Sequence, residues 1–219
     1  MHLAHYNGRM QLRELDSALR SILAIDGMRG SDPSINGLQV ERKTQDVSRV
    51  ACAVDACMES FRRAAEWKAD VLFVHHGLFW GHESPITGSH WERVRFLIEN
   101  DIALYAAHLP LDMHPQLGNN AQMAQALALE AVRPFGNYHG TNIGVSGRLP
   151  ESATVGAVCE TLFGGRGEAL SVLPFGPEQI ETVAVVSGGA PKLLGEAIRK
   201  GIDLYITGDA SHTVYHEAM

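Results

Sequence analysis

The chain has 219 residues, 45% hydrophobic and 20% charged, which is ordinary for a globular protein and enough for one good core or two small ones. With 18 Lys and Arg against 25 Asp and Glu, the formal charge is −7, which argues against nucleic acid and anionic membrane surfaces as non-specific partners. No run approaches the ~18 apolar residues of a membrane span, the first residues lack the apolar core of a secretory signal, and Cys52, Cys57 and Cys159 without CxxC spacing read as reduced thiols of a cytoplasmic protein.

In chain order, residues 1–9 read as a ragged extension, with Met10 as a second plausible start. Gln11 to Ile25 has helical periodicity, with Leu12, Leu15, Leu19, Ile22 and Leu23 on one face. The turn residues of Ser31-Asp32-Pro33-Ser34-Ile35-Asn36-Gly37 predict a loop. A strand over Arg49–Asp55, a helix over Met58–Ala69 and a strand over Val71–Val74 follow, the last running into His75-His76-Gly77. Beyond an irregular loop come a helix over Trp91–Asn100, carrying Val94, Leu97 and Ile98, and a strand over Ile102–Ala107 that leads into His108-Leu109-Pro110-Leu111-Asp112. Asn119–Leu129 is the next predicted helix.

The second half reads as a similar but separate lobe. Asn142–Leu149 is strand-like, Ser152 is placed to cap a helix over Ala153–Phe163, and Leu170–Leu173 is short and β-like. Thr182–Val186 and Asp203–Thr207 are strands flanking a helix over Lys192–Lys200, and a final helix starts near Ser211. Gly136-Asn137-Tyr138-His139-Gly140 is the expected lobe boundary, giving an N-terminal lobe of 1–135 and a C-terminal lobe of 136–219. The alternation predicts an α/β fold: two similar α/β lobes, each with a mainly parallel sheet flanked by helices.

Both apolar strands of the first lobe end in metal-ligand residue types, and strand ends are where open α/β sheets bind ligands. Within a strand, adjacent side chains face opposite ways. At a strand end before Gly77, taken here to permit an unusual backbone turn, His75 and His76 can instead splay towards two ions. Asp112 from the next strand end can join them in a two-metal arrangement, with ions typically ~3.5–4 Å apart. Hydrogen-bonded pocket histidines without metal remain an equal alternative on spacing alone. Six of the eleven histidines between His75 and His114, donors at strand ends and the rigid Leu-Pro-Leu before Asp112 favour metal. His108 reads as a group that orients a ligand or caps its own strand, and it is the best candidate for a general acid.

Other candidates carry less. His82, Glu83, His90 and His114 lie in polar stretches where solvation is the ordinary state. Ser187-Gly188-Gly189-Ala190-Pro191 can cradle an anion on backbone N–H groups, yet it lacks the Walker lysine and the GxGxxG pattern, and a plain strand–helix turn explains it equally well. His212 and His216, at i and i+4 after Asp209, have no third ligand on their helix.

Five stretches taken together carry a resemblance that covers most of the chain: PSINGLQV from Pro33, VLFVHHGLFW from Val71, LYAAHLPLDMHPQLGNN from Leu104, VVSGGA from Val185 and DLYITGDASHTVYHEA from Asp203. In this order they resemble the dinuclear-metal proteins called GTP cyclohydrolase I type 2 homologues, or Nif-three-like proteins. The resemblance implies a homohexamer built as a trimer of dimers. It also implies two divalent ions per subunit (Zn, Fe, Mn or Ni) on His75, His76 and Asp112, and a nucleotide or phosphoester ligand. The short interval from Ala131 to Thr141 resembles the form without an inserted domain. Similar proteins continue for about thirty residues, a length constrained only by typical element sizes, through a Gly-His-His-Ala-Thr-Glu-like motif that completes the site. Three of five family ligands are therefore expected here, with metal weakened or absent, and His212 and His216 are not placed to substitute. Two functions follow from the resemblance: a metal-dependent hydrolase using metal-activated water, or a non-catalytic metal-binding scaffold that acts through protein partners.

Overall fold

The computed structural model of the protein describes residues 2–28, 30–82, 84–164 and 169–219, with side chains from residue 10 onward. It divides into two compact units, residues 1–111 and 112–219.

The first unit is built on a five-stranded sheet in the order β1-β3-β4-β5-β2. Its strands are β1 (His2–Gln11), β2 (Gly37–Val40), β3 (Asp46–Asp55), β4 (Val71–His76) and β5 (Ala103–Ala106). The predicted βαβαβ succession forms the parallel centre β3-β4-β5, connected by α2 (Met58–Glu66) and α3 (Gly88–Glu99). Both flanking strands run antiparallel to their neighbours, β1 on β3 and β2 on β5. Of the ragged extension expected over residues 1–9, residues 2–9 are instead most of β1. Ladder hydrogen bonds to β3 order it, a tertiary effect that local propensity does not reveal. Likewise Gly37, expected at the end of a loop, opens β2.

The central strands are apolar because both faces are covered. On one face Phe61, Ala64, Leu72, Val74, Leu97 and Leu104 form a cluster with α2 and α3. On the other, α1 (Leu12–Ile22) lays Leu12, Leu15 and Leu19 against Val71, Ala103 and Tyr105. Ile22, expected on that face, is exposed, and so is Ile98 on α3.

At the start of β4, Asp70 accepts hydrogen bonds from Ser48 N (2.9 Å) and Arg49 N (2.9 Å) and pairs with the buried Arg42 guanidinium (2.7 Å). Burial pushes the Asp70 carboxyl up, but these donors outweigh it and hold it below the usual carboxylate range.

The second unit has a four-stranded sheet, β6-β7-β8-β9, comprising Glu130–Tyr138, Thr141–Ala153, Ile180–Val186 and Leu204–Thr207. Only β8 and β9 are parallel; β6, β7 and β8 form an antiparallel meander. The expected boundary at Gly136–Gly140 falls on the β6–β7 hairpin. His139 (φ 49°) and Gly140 (φ 87°) turn the chain there with positive φ at both positions, as a type I′ turn requires. Its turn chemistry marks a reversal inside the unit.

Two more local expectations shift. The helix α6 (Val155–Phe163) is capped by Thr154, whose Oγ1 accepts from Ala157 N at 3.3 Å, because β7 continues past Ser152 to Ala153. Leu170–Leu173 forms no strand; Leu170 is fully exposed and the run has no strand to pair with among the described residues.

The β8–α7–β9 segment, with α7 at Leu194–Arg199, repeats the design of β3–α2–β4. Val50 pairs with Val71 and Val183 with Leu204, across the same interval of chain. Asp203 stands where Asp70 does and accepts from Glu181 N (3.0 Å) and Thr182 N (2.9 Å). Among the described residues no helix is long and apolar enough to cross a membrane.

Candidate metal centre

Register brings the candidates together at the carboxyl ends of the parallel strands. His75 and His76 are the last two residues of β4, and Asp55, the last residue of β3, pairs with His76. His108 follows two residues after β5. One ligand atom from each of His75, His76 and His108 lies within 4.8 Å of the others, the geometry of a group that can hold a metal ion. The ring centroids are 4.6 Å (His75–His76), 5.0 Å (His75–His108) and 5.7 Å (His76–His108) apart. Strand alternation alone would separate the adjacent pair. The β4–β5 ladder ends at Val74–Ala106, and beyond it the two rings approach each other.

Each imidazole is held through Nδ1. His75 Nδ1 meets Ala107 O at 3.0 Å, His76 Nδ1 meets Asp55 Oδ1 at 2.7 Å and His108 Nδ1 meets Asp32 Oδ1 at 2.8 Å. A carbonyl and an ionised carboxylate only accept, so all three Nδ1 atoms carry the proton, and in the neutral ring Nε2 carries the lone pair. This is the carboxylate or carbonyl support that metal-binding histidines characteristically receive. The donor set therefore fits a divalent transition ion of the imidazole-preferring kind.

The supports differ in burial. The Asp32 side chain is 0% exposed and that of Asp55 is 62% exposed. Burial pushes the Asp32 carboxyl up. Hydrogen bonds from His108, Asn36 and Ser34 N oppose this and leave it below the usual range. Asn36 Oδ1 also accepts from His108 N at 2.7 Å, so the loop before β2 grips His108 by ring and backbone.

Gly77 serves a purpose other than the backbone freedom expected of it, since its φ is not positive. A Cβ there would run into the Gln39 side-chain amide. That amide accepts from Leu78 N (2.7 Å) and donates to Ile35 O (2.7 Å), tying the segment after the histidines to β2. Trp80 closes one side, its indole N–H on Gly77 O (3.1 Å) and its ring edge-on to His108 at 5.1 Å.

Asp112 ends the short helix α4 (Leu109–Asp112), four residues after His108. It is 4% exposed and accepts from Asn119 Nδ2 at 2.7 Å. Among the described residues, the group of donors within 4.8 Å of one another holds the three imidazoles and does not include this carboxylate.

The remaining candidates have local roles. His114 Nδ1 accepts from Gln116 N and Leu117 N, and His82 Nδ1 contacts Trp80 O. His90 packs edge-on against Phe79; Glu83 lies outside the described residues. Two amides of the Ser187–Pro191 turn are committed: Ser187 N on Asn120 Oδ1, and Ala190 N on Gly188 O and Thr207 Oγ1. His212 and His216 are exposed and belong to no such donor group among the described residues. The three cysteines are free and half-buried.

Asp32, Asn36, Asp55 and Gln39 were not legible as site residues. The one available signal was register: parallel pairing of Arg49–Asp55 with the strand into His76 puts a carboxylate beside that ring.

Comparison with known proteins places this arrangement in context. The family model described as Duf34/NIF3 (NGG1p interacting factor 3) matches residues 10–219. A "GTP cyclohydrolase 1 type 2 homolog" of Archaeoglobus fulgidus is 46% identical, over 95% of this chain and 82% of its own length. Its namesake in Treponema pallidum is 40% identical, over 95% and 85%. Among solved structures, TTHA1606 from Thermus thermophilus superimposes with a TM-score of 0.85 at 39% identity, covering 95% of this chain and 81% of that one. The ybgI protein, titled as of unknown function, gives 0.86 at 34%, covering 95% and 82%.

Proposed function

Because the chain belongs to the Duf34/NIF3 family, we propose that it binds a pair of divalent metal ions through His75, His76 and Asp112 and acts as a metal-dependent hydrolase in the cytoplasm. The observation that supports this is the set of three imidazoles with every Nδ1 committed to an acceptor and their donors within 4.8 Å. When bound, such ions supply Lewis acidity and an activated water at neutral pH. Ala107 O and Asp55 orient His75 and His76 as neutral Nε2 donors. Asp112 enters by the family resemblance, as the carboxylate of the centre. His108 handles the proton: its Nε2 lone pair would take up the proton released by the attacking water, Asp32 would stabilise the resulting charge on the ring, and Nε2 would then pass that proton to the leaving group. The substrate class is a nucleotide or phosphoester; in a purine nucleotide the electrophile is C8 of the imidazole ring. The subunits assemble as a homohexamer.

One observation favours a second function. The His108 donor lies within 4.8 Å of the other two, so it can ligate as well as carry a proton, and each ligand that the protein adds leaves one open position fewer, as in a structural centre. The protein would then be a metal-binding scaffold acting through protein partners. A screen of metal-loaded protein against GTP and a phosphoester panel separates the two, with metal content and oligomeric mass measured alongside. Turnover that disappears in His75→Ala and in Asp112→Ala establishes the hydrolase. No turnover on any substrate, with metal retained, gives the scaffold.

A further inference from the structure

We infer that Asp32 is a positioning residue whose carboxylate dictates which nitrogen of His108 carries the proton, and so decides whether that ring can serve the histidine cluster at all. The inference deepens the function proposed above and rests on it only for the cluster's purpose; the proton assignment stands by itself.

Four donors converge on the Asp32 carboxylate. Oδ1 accepts from Ser34 N (2.9 Å) and His108 Nδ1 (2.8 Å); Oδ2 accepts from Asn36 Nδ2 (2.8 Å) and Leu109 N (3.0 Å). The side chain is wholly withdrawn from solvent. Water therefore cannot replace a lost partner, and a buried charge is tolerated only while its hydrogen bonds are kept. Leu109 N and Ser34 N are fixed donors, so neither oxygen can turn away from its partners without orphaning an N–H. The carboxylate is thereby locked, and an acceptor-only oxygen is locked opposite His108 Nδ1. The neutral ring has one N–H, and it must be placed there. The lone pair falls on Nε2.

The backbone of His108 is held separately. Its N–H goes to Asn36 Oδ1 at 2.7 Å. Removing Asn36 takes away that acceptor and one of the two donors on Asp32 Oδ2, but leaves Leu109 N on Oδ2 and Ser34 N on Oδ1, so what faces His108 Nδ1 is unaltered. Replacing Asp32 by asparagine keeps the shape but puts an NH2 donor into a pocket of donors. That NH2 faces His108, because on the other side it would meet two donors, Leu109 N and Asn36 Nδ2; the ring then accepts at Nδ1 and moves its proton to Nε2, where it blocks both metal ligation and proton uptake. Asp55 offers a contrast: it makes the same contact with His76 from a side chain 62% exposed, where water can substitute.

Nitrogen-15 NMR of histidine-labelled, metal-free protein reads the tautomer directly. His108 is expected to be Nδ1-protonated when neutral, and in Asp32→Asn its signals should move to the Nε2-protonated pattern. Asn36→Ala should lower thermal stability and leave the pattern as in wild type. His108 belongs to the three-imidazole donor group and can ligate as well as carry a proton, so Zn2+ titration with a competing chelator should show a roughly 10–100-fold weaker affinity in Asp32→Asn, the usual cost of losing a ligand's supporting carboxylate, with a smaller loss in Asp55→Asn. An Nε2-protonated His108 in the wild-type protein overturns the inference outright, with no variant needed. An unchanged tautomer in folded Asp32→Asn overturns it as well. If the tautomer behaves as expected but Zn2+ does not bind the wild type, the metal function fails while Asp32's positioning role stands.

Discussion

Gly77→Ala isolates how the histidine pair is held. The backbone at Gly77 is not in the left-handed region, so alanine brings no torsional strain. The whole effect comes from its Cβ, which would sit 2.6 Å from Gln39 Cδ and closer still to both amide heteroatoms. Gln39 is long enough to move away, but doing so breaks its bonds to Leu78 N and Ile35 O and two longer contacts with Phe79. Two good hydrogen bonds at roughly 0.5–1.5 kcal/mol each set the loss at about 1–3 kcal/mol. For a chain of this size, that is a fall in Tm of roughly 4–8 °C for a mid-range ~2 kcal/mol. Circular-dichroism melts of Gly77→Ala, Gln39→Ala and the double variant measure it. Gln39→Ala should cost a similar amount, and adding Gly77→Ala to it should cost almost nothing further, because the clashing group is gone. A Tm unchanged in Gly77→Ala, or strictly additive losses in the double variant, would refute the close-approach explanation.

Two further outcomes concern the frame. Asp70 is held below the usual carboxylate range, so it contributes stability that is fully present above its unfolded pKa of ~4 and is lost as pH falls through the lower folded value. Asp70→Asn should therefore lower Tm at pH 7, and the gap from wild type should close as pH falls below about 4 and through the lower folded pKa; a gap that stays constant as the pH falls contradicts the assignment. Phe61, fully buried beneath α2 with its ring 6.4 Å from that of Phe96, should cost about 3–5 kcal/mol as Phe61→Ala. Urea titration should show a lower midpoint at unchanged slope, and a loss under about 1 kcal/mol would mean that the α2 face is not packed as described.

The parts of the fold legible in the sequence are those where local pattern and tertiary outcome agree. The apolar runs of β3, β4 and β5 and the helices between them are examples, because a strand buried on both faces leaves a continuous hydrophobic signature. The antiparallel flanks were hidden. Residues 2–11 become a strand by pairing with β3, and Gly136–Gly140 is a hairpin tip whose turn residues look the same as those of a linker. At the site, His75 and His76 announce themselves by residue type and position, whereas His108, which reads as an orienting or capping group, joins their donor set only in the fold. The supports do not announce themselves, since Asp32 reaches His108 from a loop 76 residues earlier in the chain. Gly77 looks like a backbone hinge in the sequence, but its lack of a side chain matters here for the room it leaves to Gln39.

The order of strands in the first sheet has a consequence for how the protein tolerates company. Its outermost members are β1 and β2, and the strands that end at Asp55, at His76 and, two residues before His108, at Ala106 are all interior. A foreign segment recruited by backbone pairing can enter this sheet only along its margins. Neither marginal strand carries one of the clustered imidazoles, but the two margins are not equivalent: β2 carries Gln39, which braces the segment after His76, whereas β1 carries no such brace.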